Sequence, residues 1–387
     1  FICKENSRFQ SALLLLQLAH MQSIKRDYNA CEATLCRYLE TRTGSDKSDE
    51  QLLIALQGQI AIEQDNTELA VQLLKGHKRY YWKSIAQNIK NSNGCKNSRL
   101  LNVPFLRQTH LTCAPTTLAA ISQYWGFKHN SNEIAEQICF NGTPSTLQRK
   151  WLRSHHFKFV EFELNVDLAH TLIDRGVPFT LVTTNGFTSH LQAVIGYDQQ
   201  LGTLSIMDPS SSVKQEVLTQ ELIDAEAYLG AHCYAIVPQD KAELLDDLTF
   251  PASELFVLLD KFQNADNIRD FDLAQQALNE MILLSPTHRI TLQTKRAVAI
   301  DNGDTKQIQD VNLQLLTRYP NETQLHNSLL ICGKELGTQK QSINELAEYL
   351  KHNTDHELLV TYFTEIYQDN SKIKEIEDTV YKLKQKV

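Results

Sequence analysis

The spacing of apolar residues changes twice along the chain, and these changes limit the folds that it can adopt. In the first ninety or so residues, and again from about residue 240, apolar side chains recur at intervals of three and four, which predicts amphipathic helices. The stretch between them carries short apolar runs separated by Gly, Asn and Asp, which predict β-strands and turns. We therefore expect three domains, at residues 1–93, 99–239 and 240–387.

The N-terminal segment reads as two helical hairpins. Its periodic stretches predict helices over 11–22, 28–42, 50–63 and 67–76, with a polar loop at 43–49.

The C-terminal segment shows a regular spacing of proline and glycine. Pro286 and Pro320 are 34 residues apart, and so are Gly303 and Gly337. This interval is the length of a tetratricopeptide repeat, in which two helices turn at a small residue and end near a proline. The segment resembles the tetratricopeptide family, and the N-terminal segment over 1–93 resembles it more loosely, at 28–35 and again at 70–74. The resemblance implies stacked helix pairs that bind a protein partner, whereas ordinary helical hairpins without a binding groove are the alternative.

The central segment has a mixed pattern. Helices are predicted over 113–125, 132–138 and 145–154, and strands over 157–164, 179–184, 191–197, 203–207 and 233–237. Helices followed by an antiparallel sheet are typical of an α+β domain. The predicted fold class is thus an α+β domain between two all-α helical-repeat segments.

One of the eight cysteines lies where a helix should begin. Cys113 is followed by Pro115, which a helix tolerates only in its first turn, and then by strong helix formers. The N–H groups and the dipole at a helix N-terminus favour the thiolate, the nucleophilic form of cysteine. Gln108 precedes the cysteine by five residues, so its amide could donate to an oxyanion together with the Cys113 backbone N–H.

A thiolate nucleophile needs a base, and His190 is the best placed of the thirteen histidines. It begins an apolar run, and the returning strand over 203–207 ends immediately before Asp208. If the hairpin turns near residues 199 and 200, His190 and Asp208 become neighbours. A carboxylate there would orient the imidazole and complete a Cys-His-Asp arrangement. His110 is a rival base, although it precedes the cysteine by only three residues.

These residues carry a resemblance to a known family. Residues 101–238 resemble the papain-like cysteine peptidases that cleave double-glycine leaders from bacteriocin precursors. The matching motifs are Val103-Pro104-Phe105, Gln108, Cys113, Tyr124-Trp125-Gly126, Gly142-Thr143, Gly176-Val177-Pro178, His190, Gly196-Tyr197-Asp198 and Asp208-Pro209. The resemblance implies a papain-like fold, with Cys113 as nucleophile and His190 as base and acid. It likewise implies that Gln108 is the oxyanion donor and that Asp208 orients the histidine.

The expected activity is hydrolysis of a peptide or protein substrate without a metal or organic cofactor. The chain departs from the family at Thr112-Cys113-Ala114, where Asp-Cys-Gly is usual, and it contains no P-loop motif of the kind found in the family's transporter-linked members. Two alternatives remain: a catalytically inactive helical-repeat adaptor, and an acyltransferase or deamidase that uses the same thiol.

Composition limits the classes of partner and the cellular location that we expect. The formal net charge of -8 comes without a basic block, so nucleic acid is not expected. The most apolar run, over 12–19, is shorter than the roughly 20 residues of a membrane span. Cys31 and Cys36 lack metal-site spacing, and scattered cysteines favour a reduced, cytoplasmic protein. The sequence begins at Phe1 rather than Met, so we expect that processing or truncation removed the start, and the sequence does not indicate whether a signal peptide was lost with it.

Overall fold

The computed structural model describes residues 12–42, 47–92, 94, 96–185 and 188–338. These residues form two compact units, one from the described parts of 1–225 and 231–251, the other from 226–230 and the described parts of 252–387. Predicted repeats beyond residue 338 and the loop over 43–46 lie outside the described residues. The division into domains at 93 and 240 stays a prediction.

The first unit begins with helices whose apolar faces pack together. They are α1 (Ala12–Ile24), α2 (Tyr28–Thr41), α3 (Lys47–Glu63), α4 (Thr67–Leu74) and α5 (Tyr80–Asn91). The Asp27 and Asn66 side chains accept backbone N–H groups at the starts of α2 and α4, as helix caps do. The periodicity predicted the first four helices but missed α5, which buries Ile85, Ala86 and Ile89.

The rest of the unit combines helices with a sheet. Its helices are α6 (Cys113–Tyr124), α7 (Ser131–Ile138), α8 (Ser145–Ser154), α9 (Val166–Asp174) and α10 (Thr219–Ala225), followed by a 3-10 helix at Gln239–Leu245. Its strands are β1 (Ser98–Leu100), β2 (Phe157–Glu163), β3 (Phe179–Asn185), β4 (Thr188–Asp198), β5 (Thr203–Met207), β6 (Gln215–Leu218) and β7 (His232–Pro238). This α+β region, with helical segments before and after it in the chain, confirms the predicted fold class.

The sheet is antiparallel at every pairing within the described residues. The strand order is β2-β7-β3-β4-β5-β6, and β1 pairs with β4. β4 and β5 form a hairpin in which Asp198 lies opposite Thr203 and Ala193 lies opposite Met207. This register brings the beginning of β4, with His190, close to the end of β5, which Asp208 follows.

Helix α6 is the buried helix of this region. Every residue from 114 to 122 is buried, and Leu118, Ala119 and Ile121 belong to the main apolar core together with β3 and β4. Thr117 Oγ1 donates to the Leu191 carbonyl over 3.0 Å, which links the N-terminal half of α6 directly to β4. The N-terminus of α6 is therefore fixed against the sheet.

The second unit consists of helices within the described residues. They are α11 (Ser253–Asn267), α12 (Phe271–Leu284), α13 (Arg289–Asp301), α14 (Thr305–Arg318) and α15 (Thr323–Leu336). Pro286 and Pro320 lie in the connections after α12 and α14, and Gly303 lies in the turn between α13 and α14. Gly337 ends α15 with φ +70°, a left-handed conformation that glycine adopts without strain. The tetratricopeptide assignment stays a prediction.

Candidate active site

Cys113 is the first residue of α6, and its side chain is partly exposed. The turn before it is held by Thr112, whose hydroxyl accepts the Thr109 N–H over 3.0 Å. Leu111 has φ +56°, which is uncommon for a residue with a branched side chain. The tight turn therefore ends at Cys113, whose sulfur lies beside backbone N–H groups at the start of α6.

The surroundings of Cys113 favour the thiolate. Burial by itself would raise the pKa of the thiol, because a charge is poorly solvated there. Hydrogen bonding and charge from His190 and the backbone N–H groups of Leu191 and Ala114 outweigh burial, so the pKa of Cys113 is lowered. A lowered pKa is the property that separates a reactive cysteine from a buried structural one.

His190 lies between the cysteine and a carboxylate. Its Nε2 lies 2.9 Å from Asp208 Oδ1, and the two side chains are 27% and 10% exposed. Because Nε2 donates to the carboxylate, Nδ1 is the ring nitrogen that remains for the Cys113 sulfur. The adjacency that the hairpin predicted for His190 and Asp208 is thus present in the geometry.

The charges of this group support one another. The interaction with Cys113 is the largest cause that raises the pKa of His190, to about 9, and Asp208 adds to it against the opposing effect of burial. Burial would raise the pKa of Asp208, but hydrogen bonds from Ser210 and His190 lower it. The pairing of a thiolate with an imidazolium is therefore favoured near neutral pH.

Two residues that the sequence did not indicate hold Asp208. The backbone N–H of Ser210 donates to Oδ1 over 2.7 Å, and Gln215 Nε2 approaches Oδ2 at 3.4 Å. The first contact is a local turn in which an aspartate accepts the N–H two residues ahead. The run Asp208-Pro209-Ser210 is a sequence signal for this turn, whereas the Gln215 contact depends on the pairing of β5 with β6.

Gln108 lies at the same corner of the domain. Its backbone N–H donates to the Pro209 carbonyl over 2.9 Å, so the residue is connected to the segment that follows Asp208. The side chain is half-buried, and its Oε1 is buried with no hydrogen-bond partner among the residues that the structure describes. The rival base His110 is exposed in the loop before α6.

The described residues include neither a candidate metal site nor a helix that could span a membrane. They contain no group of three or more His, Cys, Asp or Glu side chains that could hold an ion. Of the helices that the structure describes, none is long and apolar enough to cross a membrane.

In this α+β region a buried helix begins at a cysteine, and the adjoining hairpin supplies a histidine and a carboxylate. This arrangement is consistent with a papain-like domain. Residues 100–236 match the model of the Peptidase C39 like family. Among solved structures, the chain is similar to the peptidase domain of Streptococcus ComA, a bi-functional ABC transporter involved in a quorum sensing pathway. The identity is 18%, the TM-score is 0.30, and the match covers 36% of this chain and 100% of that chain. No curated protein matches this chain. The family match at residues 100–236 is in agreement with the resemblance predicted from the sequence.

Proposed function

We propose that this protein is a cysteine peptidase that hydrolyses a peptide bond in a peptide or protein substrate. The observation that carries the proposal is the position of His190, hydrogen-bonded to Asp208 on one side and lowering the pKa of the Cys113 thiol on the other. A cysteine buried for packing alone would have a raised pKa, as Cys233 does because of burial.

The first half of the reaction forms a thioester. The Cys113 thiolate attacks the carbonyl carbon of the scissile bond, a C–S bond forms, and the carbonyl electron pair moves to oxygen. The backbone N–H of Cys113 and the side-chain amide of Gln108 donate to this oxyanion. When the oxyanion collapses, the C–N bond breaks and the His190 imidazolium gives its proton to the leaving amine.

The second half releases the acid. His190, now neutral, removes a proton from water as the oxygen attacks the thioester carbonyl. Collapse of this second oxyanion breaks the C–S bond and returns the thiolate and imidazolium. Asp208 stays ionised throughout and holds the imidazole in one orientation.

The test is the substitution Cys113→Ala, measured with a peptide library whose cleavage products are read by mass spectrometry. We expect cleavage and iodoacetamide labelling at residue 113 to be lost together, because both require the same thiolate. Cys36→Ala is the matched control, since Cys36 is exposed on α2 and is a free cysteine. Full cleavage by the Cys113→Ala protein would contradict the proposal.

The same assay in water enriched in oxygen-18 separates hydrolysis from acyl transfer. Hydrolysis places one solvent oxygen in each new carboxylate, whereas transfer to an amine places none.

We further propose that the helical segments hold a peptide or protein partner. We also propose that the protein acts in the cytoplasm, where the six cysteines of the described residues would stay unpaired, as they are in the structure.

A further inference from the structure

A cavity of about 790 Å³ lies between the N-terminal helices and the segment that leads into β6. Its walls come from α1, α2, α3, α5 and the residues Val213, Lys214 and Glu216, all in the first unit. Such a volume lies within the range of roughly 300–1,000 Å³ that is usual for ligand sites. Cys113, His190 and Asp208 are not part of its lining, so it is separate from the candidate active site.

The strand β6 has one face toward this cavity and the other toward the active site. Glu216 lines the cavity, and Leu218 packs with Ile85 of α5 on the same face. Gln215 approaches Asp208, and Val217 packs on the main core, from the opposite face. This is the alternation expected along a strand. One short strand therefore borders both the cavity and the group that holds the candidate histidine.

The inner wall of the cavity carries more positive than negative charge. Glu216 is already satisfied, because its carboxylate accepts Arg26 at 2.7 Å, Lys214 at 3.1 Å and the Ser205 hydroxyl at 3.0 Å. Two cations thus share one carboxylate. The Lys214 side chain is only 14% exposed, and burial is the main reason why its pKa is lowered. An incoming carboxylate would relieve this excess of positive charge.

The rim has the same sign. Lys78 and Arg79 line the cavity, and no described carboxylate forms an ion pair with either of them, while Asp49 is the remaining acid of the lining. His77 connects this segment to α3. Its Nδ1 accepts the Arg79 N–H, and its Nε2 donates to the carbonyl of Gln51 on α3 over 2.9 Å. The backbone that carries Lys78 and Arg79 is therefore fixed to α3.

The remaining lining suits a peptide better than a small anion. It includes side-chain amides, which hydrogen-bond to peptide groups, and large aromatic rings, which pack against side chains. These residues are Gln17, Gln51, Gln59, Tyr28, Tyr81 and Trp82.

We propose that this cavity is an exosite that binds an acidic segment of the peptide substrate, with Lys214 and Arg26 pairing with its carboxylates. The identity of the ligand as substrate rests on the proposed peptidase function, but the binding of an acidic peptide does not. Bound there, the segment would anchor the substrate at β6, on the strand that also contacts Asp208.

Binding is measured on the Cys113→Ala protein, so that the probe is not cleaved. The probe is a fluorescein-labelled, glutamate-containing octapeptide, compared by fluorescence anisotropy with the same peptide carrying glutamine. We expect Lys214→Gln to weaken binding of the glutamate peptide by about tenfold or more, because a charge-assisted contact is lost. Glu216→Gln should tighten binding, because it removes the carboxylate that competes for Lys214 and Arg26.

Lys90→Gln is the matched control, because Lys90 is exposed on α5 outside the cavity lining. We expect this change to leave binding unaltered. Equal affinity for the glutamine peptide, no effect of Lys214→Gln in a variant with a native circular dichroism spectrum, or equal displacement by a single-stranded oligonucleotide would each overturn the proposal.

The two proposals fail separately. If the wild type cleaves peptides through Cys113 but the octapeptide does not bind, the exosite alone is wrong. If the octapeptide binds with the expected charge dependence but no cleavage depends on Cys113, the cavity is an acidic-peptide site and the peptidase assignment is wrong.

Discussion

Two histidine–carboxylate pairs of equal length lie on the same sheet. His190 Nε2 is 2.9 Å from Asp208 Oδ1, and His232 Nε2 is 2.9 Å from Glu161 Oε2. The distances do not distinguish them. The difference lies in what else each carboxylate and each ring contacts.

The Glu161 pair is a buried ion cluster. Arg149 donates to both carboxylate oxygens, over 2.5 and 2.9 Å, and the Arg149 and Glu161 side chains are 1% and 5% exposed. Burial would raise the pKa of Glu161, but His232 and Arg149 lower it to about 2. The neighbouring Cys233 is fully buried, and burial raises the pKa of its thiol well above the usual value. This cluster contains a satisfied carboxylate and no available nucleophile.

In the Asp208 pair the additional group is the Cys113 thiol, which interacts with the imidazole, whereas in the Glu161 cluster it is the Arg149 guanidinium, which contacts the carboxylate. His190 is partly exposed, and its interaction with Cys113 raises the pKa of the imidazole and lowers that of the thiol. A histidine–carboxylate pair thus acquires chemistry from the group on the far side of the ring. We therefore expect one pair to control activity and the other to control stability.

The largest expected effect is on activity. His190→Ala should lower kcat/KM by about a thousandfold or more, because no group remains to protonate the leaving amine. His232→Ala should keep kcat/KM within a few fold, since His232 contacts the Glu161 carboxylate. Rates measured on one fluorogenic peptide decide the matter. Equal losses for both variants would break the distinction between the pairs.

The second prediction concerns stability. Glu161→Gln should lower the free energy of unfolding by about 3 kcal/mol or more, because Arg149 would stay buried without its counter-charge. Asp208→Asn should cost about 1 kcal/mol, since the Asp208 pair is partly exposed and Asn keeps a hydrogen-bond acceptor. Urea denaturation of the three proteins measures both differences.

The pH dependence provides the control for this second prediction. The folded pKa of Glu161, about 2, lies below its ordinary value of 4.5, so its contribution to stability is present above pH 4.5 and lost as pH falls toward 2. The gap between wild type and Glu161→Gln should therefore shrink over that range. A gap independent of pH would mean that the substitution acts through packing rather than charge.

The sequence predicted the part of the fold that depends on strong local signals. The predicted strand over 203–207 and helix over 145–154 match β5 and α8, because turn residues bound them closely. β1 is exposed at all three residues, so it carries no apolar alternation to read. Helix α5 opens with Tyr80-Tyr81-Trp82, side chains more typical of strands.

The adjacency of His190 and Asp208 was predictable for a related reason. A hairpin that turns near residues 199 and 200 places the start of its first strand beside the end of its second. The Gln215 contact was not, since it needs the pairing of Ile206 with Gln215 across β5 and β6. Buried Arg149 and Glu161 look like surface residues in a sequence, because charged side chains are rarely buried unless they are paired. The catalytic roles of Cys113, His190, Asp208 and Gln108 stay predictions until activity is measured.

The smallest expected effect concerns the pH profile of activity. Because the pKa of His190 is raised to about 9, the imidazolium that protonates the leaving group is present below that pH and lost above it. The value of kcat/KM should therefore fall as pH rises through about 9. Asp208→Asn removes a carboxylate that favours the protonated ring, so this alkaline limb should move to lower pH, by roughly one unit.

The shift should be modest because the interaction with Cys113 is the larger cause of the raised pKa of His190 and survives in the variant. Glu161→Gln supplies the matched comparison, since it removes the other carboxylate of the two pairs and should leave the alkaline limb of kcat/KM in place. A limb that moves equally in both variants would mean that the imidazole responds to the general charge of the domain. A limb that moves only with Asp208→Asn assigns the titrating ring to the pair that faces the thiol.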